Sequence, residues 1–323
     1  MNDFVKKAKA VMIGHAIGDA LGVPVEFCSR ESLDSNPVTD MFGYGAHSVP
    51  KGTWSDDTSM ALCALESLSK GKLDYDDIMN NFCKWYYRGE FTSNGSTFDV
   101  GGTCNEAINN YSKRGLPYDK CGLADEYSNG NGSLMRIHPF TLFLINSGSH
   151  GKMFLLHIDE ICRASALTHA HPRSKIACVL YSFILWELIE NPIKSSVING
   201  LNNAYTALNH YCEGWEAHWE EYTELPHFNK LRRIEKLGRD EIKSDGYVVH
   251  TLEAAIWCLL TTDSFEECVL KAVNLGYDSD TTAAVAGGLA GALYGYDAIP
   301  EEWRNTLIKR EYIEELCEKA FNN

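Results

Sequence analysis

Two short stretches of this chain place oxygen ligands where a helical pattern begins. Ser55-Asp56-Asp57-Thr58 precedes the apolar run Met60, Ala61, Ala64, Leu65 and Leu68, and Asp278-Ser279-Asp280-Thr281 precedes a run of small apolar residues ending at Tyr294. A helix N-terminus leaves N–H groups unpaired and carries the positive end of the macrodipole, so carboxylates are favoured there. N-capping explains part of each head, because Ser and Asp are preferred caps. One carboxylate suffices for a cap, whereas each head carries two. Brought together, the heads would hold a charge of −4, which two divalent cations neutralise. Carboxylate and hydroxyl oxygens select hard ions such as Mg²⁺, Mn²⁺ or Ca²⁺ over zinc or copper. Paired ions about 3.5–4 Å apart activate water and hold substrate oxygens.

Further polar loops have the composition of a pocket. Pro24 cannot continue a helix and delivers Glu26 beyond it on a turn. Asp99 precedes Gly101, Gly102 and Thr103, and the run Gly130-Asn131-Gly132-Ser133-Leu134-Met135-Arg136 repeats the layout of glycines before a helix. Exposed N–H groups in such turns receive anions. His169 and His171 follow in Thr168-His-Ala-His-Pro-Arg173, and Tyr247 precedes an apolar helix, where it is expected at a pocket edge. No strand precedes these glycines and no Gly-Lys-Ser/Thr ending follows, which excludes Rossmann and P-loop phosphate binding.

The elements that must carry these residues read as helices. The periodicity predicts them over Phe4–Leu21, Thr58–Ser69, Tyr75–Arg88, Cys104–Lys113, Ser133–Asn146, His157–Thr168, Ser174–Glu190, Val197–Tyr211, Val249–Leu260, Phe265–Asn274, Asp280–Tyr294 and Glu301–Lys319. Alternating strand patterns are scarce, so the fold class is all-α. Gly14, Gly18 and Gly22 form one bare stripe, and Gly287, Gly291 and Gly295 another. Each glycine weakens a helix by ~1 kcal/mol, so the stripes predict two central helices in close backbone contact. The segment 210–245, rich in Trp, Tyr and charge, interrupts the rhythm as a lid or an elaborated loop.

Composition narrows the function. Net charge is −15 from 29 Lys+Arg and 44 Asp+Glu, which argues against a phosphate-tracking nucleic-acid surface. Neither glycine-rich stretch offers the ~18 uncharged apolar residues of a membrane span. The eleven cysteines are scattered without a Cys-x-x-Cys pair, and no signal peptide is apparent, so a reducing cytoplasm is expected. No linker or repeat divides the chain, and residues 1–323 are expected to form one domain.

Taken together, the motifs resemble the ADP-ribosylglycohydrolase family, which includes dinitrogenase reductase activating glycohydrolase and the ADP-ribosylarginine hydrolases. The resemblance runs from Gly14-His-Ala-Ile-Gly-Asp-Ala-Leu-Gly22 to Tyr294-Gly295 and is carried by Ser55-Asp-Asp-Thr-Ser-Met60, Gly130-Asn-Gly-Ser-Leu-Met-Arg136, Gly246-Tyr-Val-Val-His-Thr251 and Asp278-Ser-Asp-Thr-Thr282. It implies a compact orthogonal helical domain with a binuclear Mg²⁺ or Mn²⁺ centre in a cleft built from loops and helix N-termini. By position, Ser55, Asp56, Asp57, Asp278, Asp280 and Thr281 are the implied ligands. The family usually has threonine where this chain has Ser55, and serine keeps the hydroxyl. Asp99, residues 101–103, residues 130–136 and His169 are implied to line an ADP-ribose site. The implied reaction is hydrolysis of the N-glycosidic bond between ADP-ribose and arginine, with Asp99 and Glu26 as carboxyls serving the leaving guanidine and Asp57 as both ligand and base. The expected partner is an ADP-ribosylated protein or an ADP-ribose derivative, met by a monomer. Two alternatives remain open: another ADP-ribosyl linkage (serine, O-acetyl-ADP-ribose or a nucleobase), or a non-catalytic ADP-ribose-binding or immunity protein.

Overall fold

The computed structural model describes residues 2–148, 157–211 and 230–322. Among these residues there is no strand beyond two isolated backbone bridges. The helices are α1 (Asp3–Gly22), α2 (Arg30–Ser35), α3 (Asp56–Leu68), α4 (Tyr75–Arg88), α5 (Gly102–Ser112), α6 (His138–Asn146) and α7 (Ile158–Ala166). They continue as α8 (Pro172–Glu190), α9 (Ser195–Tyr211), α10 (Val248–Leu260), α11 (Phe265–Val273), α12 (Ser279–Tyr294), α13 (Glu301–Thr306) and α14 (Arg310–Phe321).

The centre is the pair α1 and α12, each buried on every side over most of its length. A helix apolar all round belongs in a core, and here glycine decides how closely the two approach. A β-carbon on Gly18 would lie 2.0 Å from the Ala283 carbonyl oxygen, and one on Gly287 would lie 2.2 Å from that of Gly14. The paired stripes therefore meet as the spacing predicts, except at Gly295. That residue ends α12 with φ +82 and touches nothing on its open side, so it serves as a terminator. Around the pair pack α3, α6, α8, α10, α11 and α14, with Lys9 of α1 pairing with Glu318 of α14 at 2.6 Å.

Two predicted helices are corrected and one helix is added. The helix expected from Ser133 begins at His138, because Pro139 suits a first turn and the preceding residues are held in turns, Met135 N donating to Asn131 O at 3.0 Å. A short helix, α2, is added, capped by the Ser29 hydroxyl, which accepts from Ser32 N. The expected helix Glu301–Lys319 is two helices, interrupted where Lys309 takes φ +58. At that break Ile308 O accepts from Trp54 Nε1 at 2.8 Å and Ile308 N donates to Gly52 O at 3.0 Å. The interruption thus holds the loop that leads into Ser55. Of the segment 210–245, residues 212–229, including Trp215, Trp219, Tyr222, Pro226 and His227, lie outside the described residues, so the lid reading does too.

Candidate active site

Asp19, buried on α1, organises the first head. Its Oδ1 accepts from Ser55 N at 2.8 Å, and its Oδ2 accepts from Thr58 N at 3.0 Å and from Thr58 Oγ1 at 2.6 Å. The start of α3 is thereby satisfied from another helix, with only a 3.4 Å bond from Asp57 N to Ser55 Oγ as local capping. Asp56 and Asp57 are left for another purpose. Asp57 Oδ1 is buried and has no hydrogen-bond partner among the described residues.

The second head is placed by the glycine contact of α1 with α12. Gly22 lies so close that a β-carbon on it would stand 2.3 Å from Asp280 Cα, and Ser279 Oγ donates to Gly22 O at 3.1 Å. Asp278 Oδ2 accepts from Asn131 Nδ2 at 2.8 Å, and Asn131 N donates to Gly246 O at 3.1 Å. The 130–136 loop, the 246–247 turn and the second head are therefore tied together. Asp280 Oδ1 accepts from Thr281 N at 2.9 Å, while the buried Oδ2 has no partner among the described residues.

The two heads meet. Carboxylate oxygens of Asp19, Asp57 and Asp280 lie within 4.8 Å of one another, as do those of Glu26, Asp278 and Asp280. A third group at the same spacing joins Glu26 and Asp99 to His47, whose Nε2 contacts Glu26 Oε2. Above these acids opens a cleft of about 230 Å³. Its walls include Glu26, Asp56, Asp99, Asp278 and Thr281 on the acidic side, and Gly101, Gly130, Asn131, Gly132, Met135 and His169 on the other. Asp99 holds φ +54, a costly conformation for a non-glycine residue and one that collects at functional sites.

Burial, followed by mutual repulsion, dominates the electrostatics. Asp56, Asp57 and Asp280 are pushed well above the usual carboxylate range, chiefly by desolvation and then by neighbouring acids such as Asp99, Asp19 and Glu26. Glu26 is raised to about 9 by burial and then by Asp99 and Asp278, and Asp278 is also raised by burial. Asp19 is raised only to about 6, because its hydrogen bonds from Thr58 and Ser55 favour the anion. No lysine or arginine among the described residues forms an ion pair with any of these acids. The oxygen donors of the two heads, two orphaned buried oxygens and no lysine or arginine counter-charge among the described residues fit hard divalent cations.

Several residues expected to touch substrate do not face the cleft. Arg136 is fully buried and donates to Ala164 O at 3.1 Å and to Thr168 Oγ1 at 2.8 Å, with its guanidinium over the Phe82 ring. Ser133 is also fully buried and accepts from Ser165 Oγ at 3.0 Å. Gly102 and Thr103 belong to the first turn of α5, and of residues 101–103 only Gly101 reaches the wall, joined there by Cys104. Half-buried Tyr247 sets its ring edge-on to His250 at 4.9 Å, while its neighbour Gly246 lines the cleft. Ser55 and Asp57 lie beneath the wall, buried among the acids. Sequence reasoning missed Asp19, Cys104 and His47. Asp19 was signalled as the one acid in the mostly apolar second half of α1, whereas His47 lies in a loop without periodicity.

A family description, ADP-ribosylglycohydrolase, matches residues 1–323. The chain belongs to this family. Among curated ADP-ribosylglycohydrolase relatives, ADP-ribosylarginine hydrolase Tri1 of Serratia proteamaculans (strain 568) is 35% identical over 321 residues, covering 99% of this chain and 80% of the relative. ADP-ribosyl-[dinitrogen reductase] glycohydrolase of Rhodospirillum rubrum is 31% identical over 314 residues, covering 94% and 92%. A solved chain from an ADP-ribosylglycohydrolase-related protein complex superposes with TM-score 0.76 at 32% identity, covering 100% of this chain and 99% of that one. The protein is thus a glycosyl-bond-hydrolysing enzyme with the all-α fold of its family. No described helix is long and apolar enough to cross a membrane.

Proposed function

We propose that the protein hydrolyses the N-glycosidic bond between ADP-ribose and a modified arginine side chain, with two divalent cations, Mg²⁺ or Mn²⁺, as cofactors. The observation that carries this reading is the convergence of two acid-rich helix N-termini, with orphaned oxygens on Asp57 and Asp280, at the base of a cleft roofed by glycine turns. The curated relatives named as ADP-ribosylarginine hydrolases favour arginine as the linkage.

Asp56, Asp57, Asp278 and Asp280, with the hydroxyls of Ser55 and Thr281, are the residues that would hold the cations, and Asp19 is close enough to join them. When bound, the cations supply charge compensation and Lewis acidity. The chain's own residues do the rest. Gly101, Gly130 and Gly132 let backbone approach the diphosphate, and Asn131 fixes the orientation of Asp278. A cleft of about 230 Å³ is smaller than the ~300–1,000 Å³ that encloses a whole ligand, so one end of ADP-ribose enters while the remainder lies along the rim. Hydrolysis breaks the bond from C1″ to the guanidine nitrogen and forms one from C1″ to a water oxygen, through a transition state of oxocarbenium character. The leaving nitrogen needs a proton, and a carboxylate must accept one from water. Asp99 and Glu26, which line the cleft and group with His47, would serve the first task, and Asp57 the second.

The test is a panel of arginine-, serine- and O-acetyl-linked ADP-ribose, with release of free ADP-ribose as the readout. Turnover of the arginine linkage alone supports the proposal. Turnover confined to serine or acetyl linkages reassigns the substrate, and no turnover of any linkage leaves a binding protein.

A further inference from the structure

Arg136 presents an unexplained cost. It is fully buried, and its guanidinium pairs with no carboxylate among the described residues, meeting two backbone carbonyls, one hydroxyl and the Phe82 ring instead. Taking a charge out of water without a counter-ion is expensive, so a specific use is expected.

The hydroxyl shows the use. Arginine can only donate, so Thr168 Oγ1 accepts from Arg136 Nη2 at 2.8 Å. The same oxygen lies 2.8 Å from His169 Nδ1. Arg136 therefore cannot receive the hydroxyl proton; of the other groups against this oxygen, His169 Nδ1 and the Cys104 thiol, sulfur is a weak acceptor, and the proton is given to the ring nitrogen. A neutral imidazole that accepts at Nδ1 carries its proton on Nε2. That nitrogen faces the glycine wall of the cleft, 3.6 Å from where a β-carbon on Gly130 would lie. The ring stays neutral, since burial and then the charge on Arg136 lower it to about 3.

We propose that Arg136 is a positioning residue that acts through Thr168 to lock His169 as the Nε2–H tautomer, giving the cleft a fixed neutral donor for a substrate oxygen. In a site otherwise built from carboxylates, a ring free to change tautomer would present a lone pair to substrate for part of the time. The lock removes that state. Only the substrate oxygen in this proposal rests on the hydrolase reading; the tautomer does not.

The test is nitrogen NMR of the imidazoles in the full chain, which separates bare from protonated ring nitrogens. The native protein is expected to show a bare Nδ1 and a protonated Nε2 at His169. Thr168→Val keeps the shape of the side chain and removes the relay. It is expected to mix the tautomers and to raise KM roughly 10-fold, about one hydrogen bond's worth, with kcat within about 2-fold. Thr168→Ser restores both readouts, which a purely structural role for the residue does not require. Arg136→Lys, if it folds, mixes the tautomers as Thr168→Val does. A protonated Nδ1 in the native chain overturns the proposal, as does an unchanged tautomer and KM in Thr168→Val. A native chain that turns over no ADP-ribosyl linkage removes the hydrolase reading, and the nitrogen spectrum still decides the tautomer.

Discussion

Phe27 and Tyr277 flank the acids Glu26 and Asp278 and hold each other in place. Phe27 N donates to Tyr277 O at 2.7 Å, Tyr277 N donates to Cys28 O at 2.7 Å, and the two residues carry φ of +66 and +59. Left-handed backbone at non-glycine residues costs of order 1–3 kcal/mol, and it is spent here to tie the Glu26 turn to the second acidic head. Relieving that strain without breaking the pairing, as in Tyr277→Gly, is expected to leave stability within about 1 kcal/mol of native. Tyr277→Pro, which removes the N–H and cannot take this φ, is expected to cost about 3 kcal/mol or more. Urea unfolding of the two variants checks this, and equal losses would deny the clamp.

Gly22 is the most exacting of the close contacts between α1 and α12, because it touches the backbone of Asp280 itself. Gly22→Ala forces that backbone aside, an overpacking cost of about 1–3 kcal/mol, and moves the proposed cation ligand Asp280 with it. Gly102→Ala meets nothing within 4 Å and is expected to leave stability unchanged or slightly raised. Thermal unfolding of both, with activity, separates close contact from a general intolerance of alanine.

Buried carboxylates that are hard to ionise destabilise the cation-free protein. A folded pKa above the unfolded one means that the cost is present above the unfolded pKa and is relieved as pH falls toward it. Asp280→Asn removes one such charge, and Asp280 is raised by burial and then by Glu26 and Asp57. In chelator at pH 8 this variant is expected to be at least as stable as native. Added Mg²⁺ or Mn²⁺ should stabilise the native chain by roughly 2.7 kcal/mol at a hundredfold excess over Kd, and the variant by much less. An equal cation response in both would remove Asp280 from the site.

His169 gives the opposite pH dependence. Its folded pKa is lowered to about 3 from 6.5, so its contribution is complete above pH 6.5 and is lost as pH falls below that value. At pH 5 the loss is about 2 kcal/mol, at 1.36 kcal/mol per unit. His169→Gln should therefore lose about 2 kcal/mol less than native between pH 7.5 and pH 5, as read by urea midpoints. Parallel profiles would contradict the burial of a neutral ring.

How much of this was legible in the sequence follows from what each residue type demands. Glycines four apart in an apolar helix have no local advantage, so Gly14, Gly18, Gly287 and Gly291 announced a close helix pair. Two carboxylates at one helix start exceed what capping needs, so both heads announced a site. Asp19 was less visible, because one acid within a helix does not say which partner it meets. That partner, the start of α3, is 36 residues away at Ser55. Glu26 was expected at the pocket, but its burial against His47 was not readable, since loops between 26 and 50 carry no period from which facing can be read. Arg136 was misplaced for the same reason: its loop was identified, but not the side from which its side chain leaves.

The central claim is tested most directly by release of free ADP-ribose from an ADP-ribosylarginine substrate by the native chain and by Asp280→Ala, each with Mg²⁺, with Mn²⁺ and with chelator. The account predicts release by the native chain with either cation, little in chelator, and a fall of at least 100-fold in Asp280→Ala, within the range of a lost catalytic group. Undiminished release in chelator, or by Asp280→Ala, would contradict it.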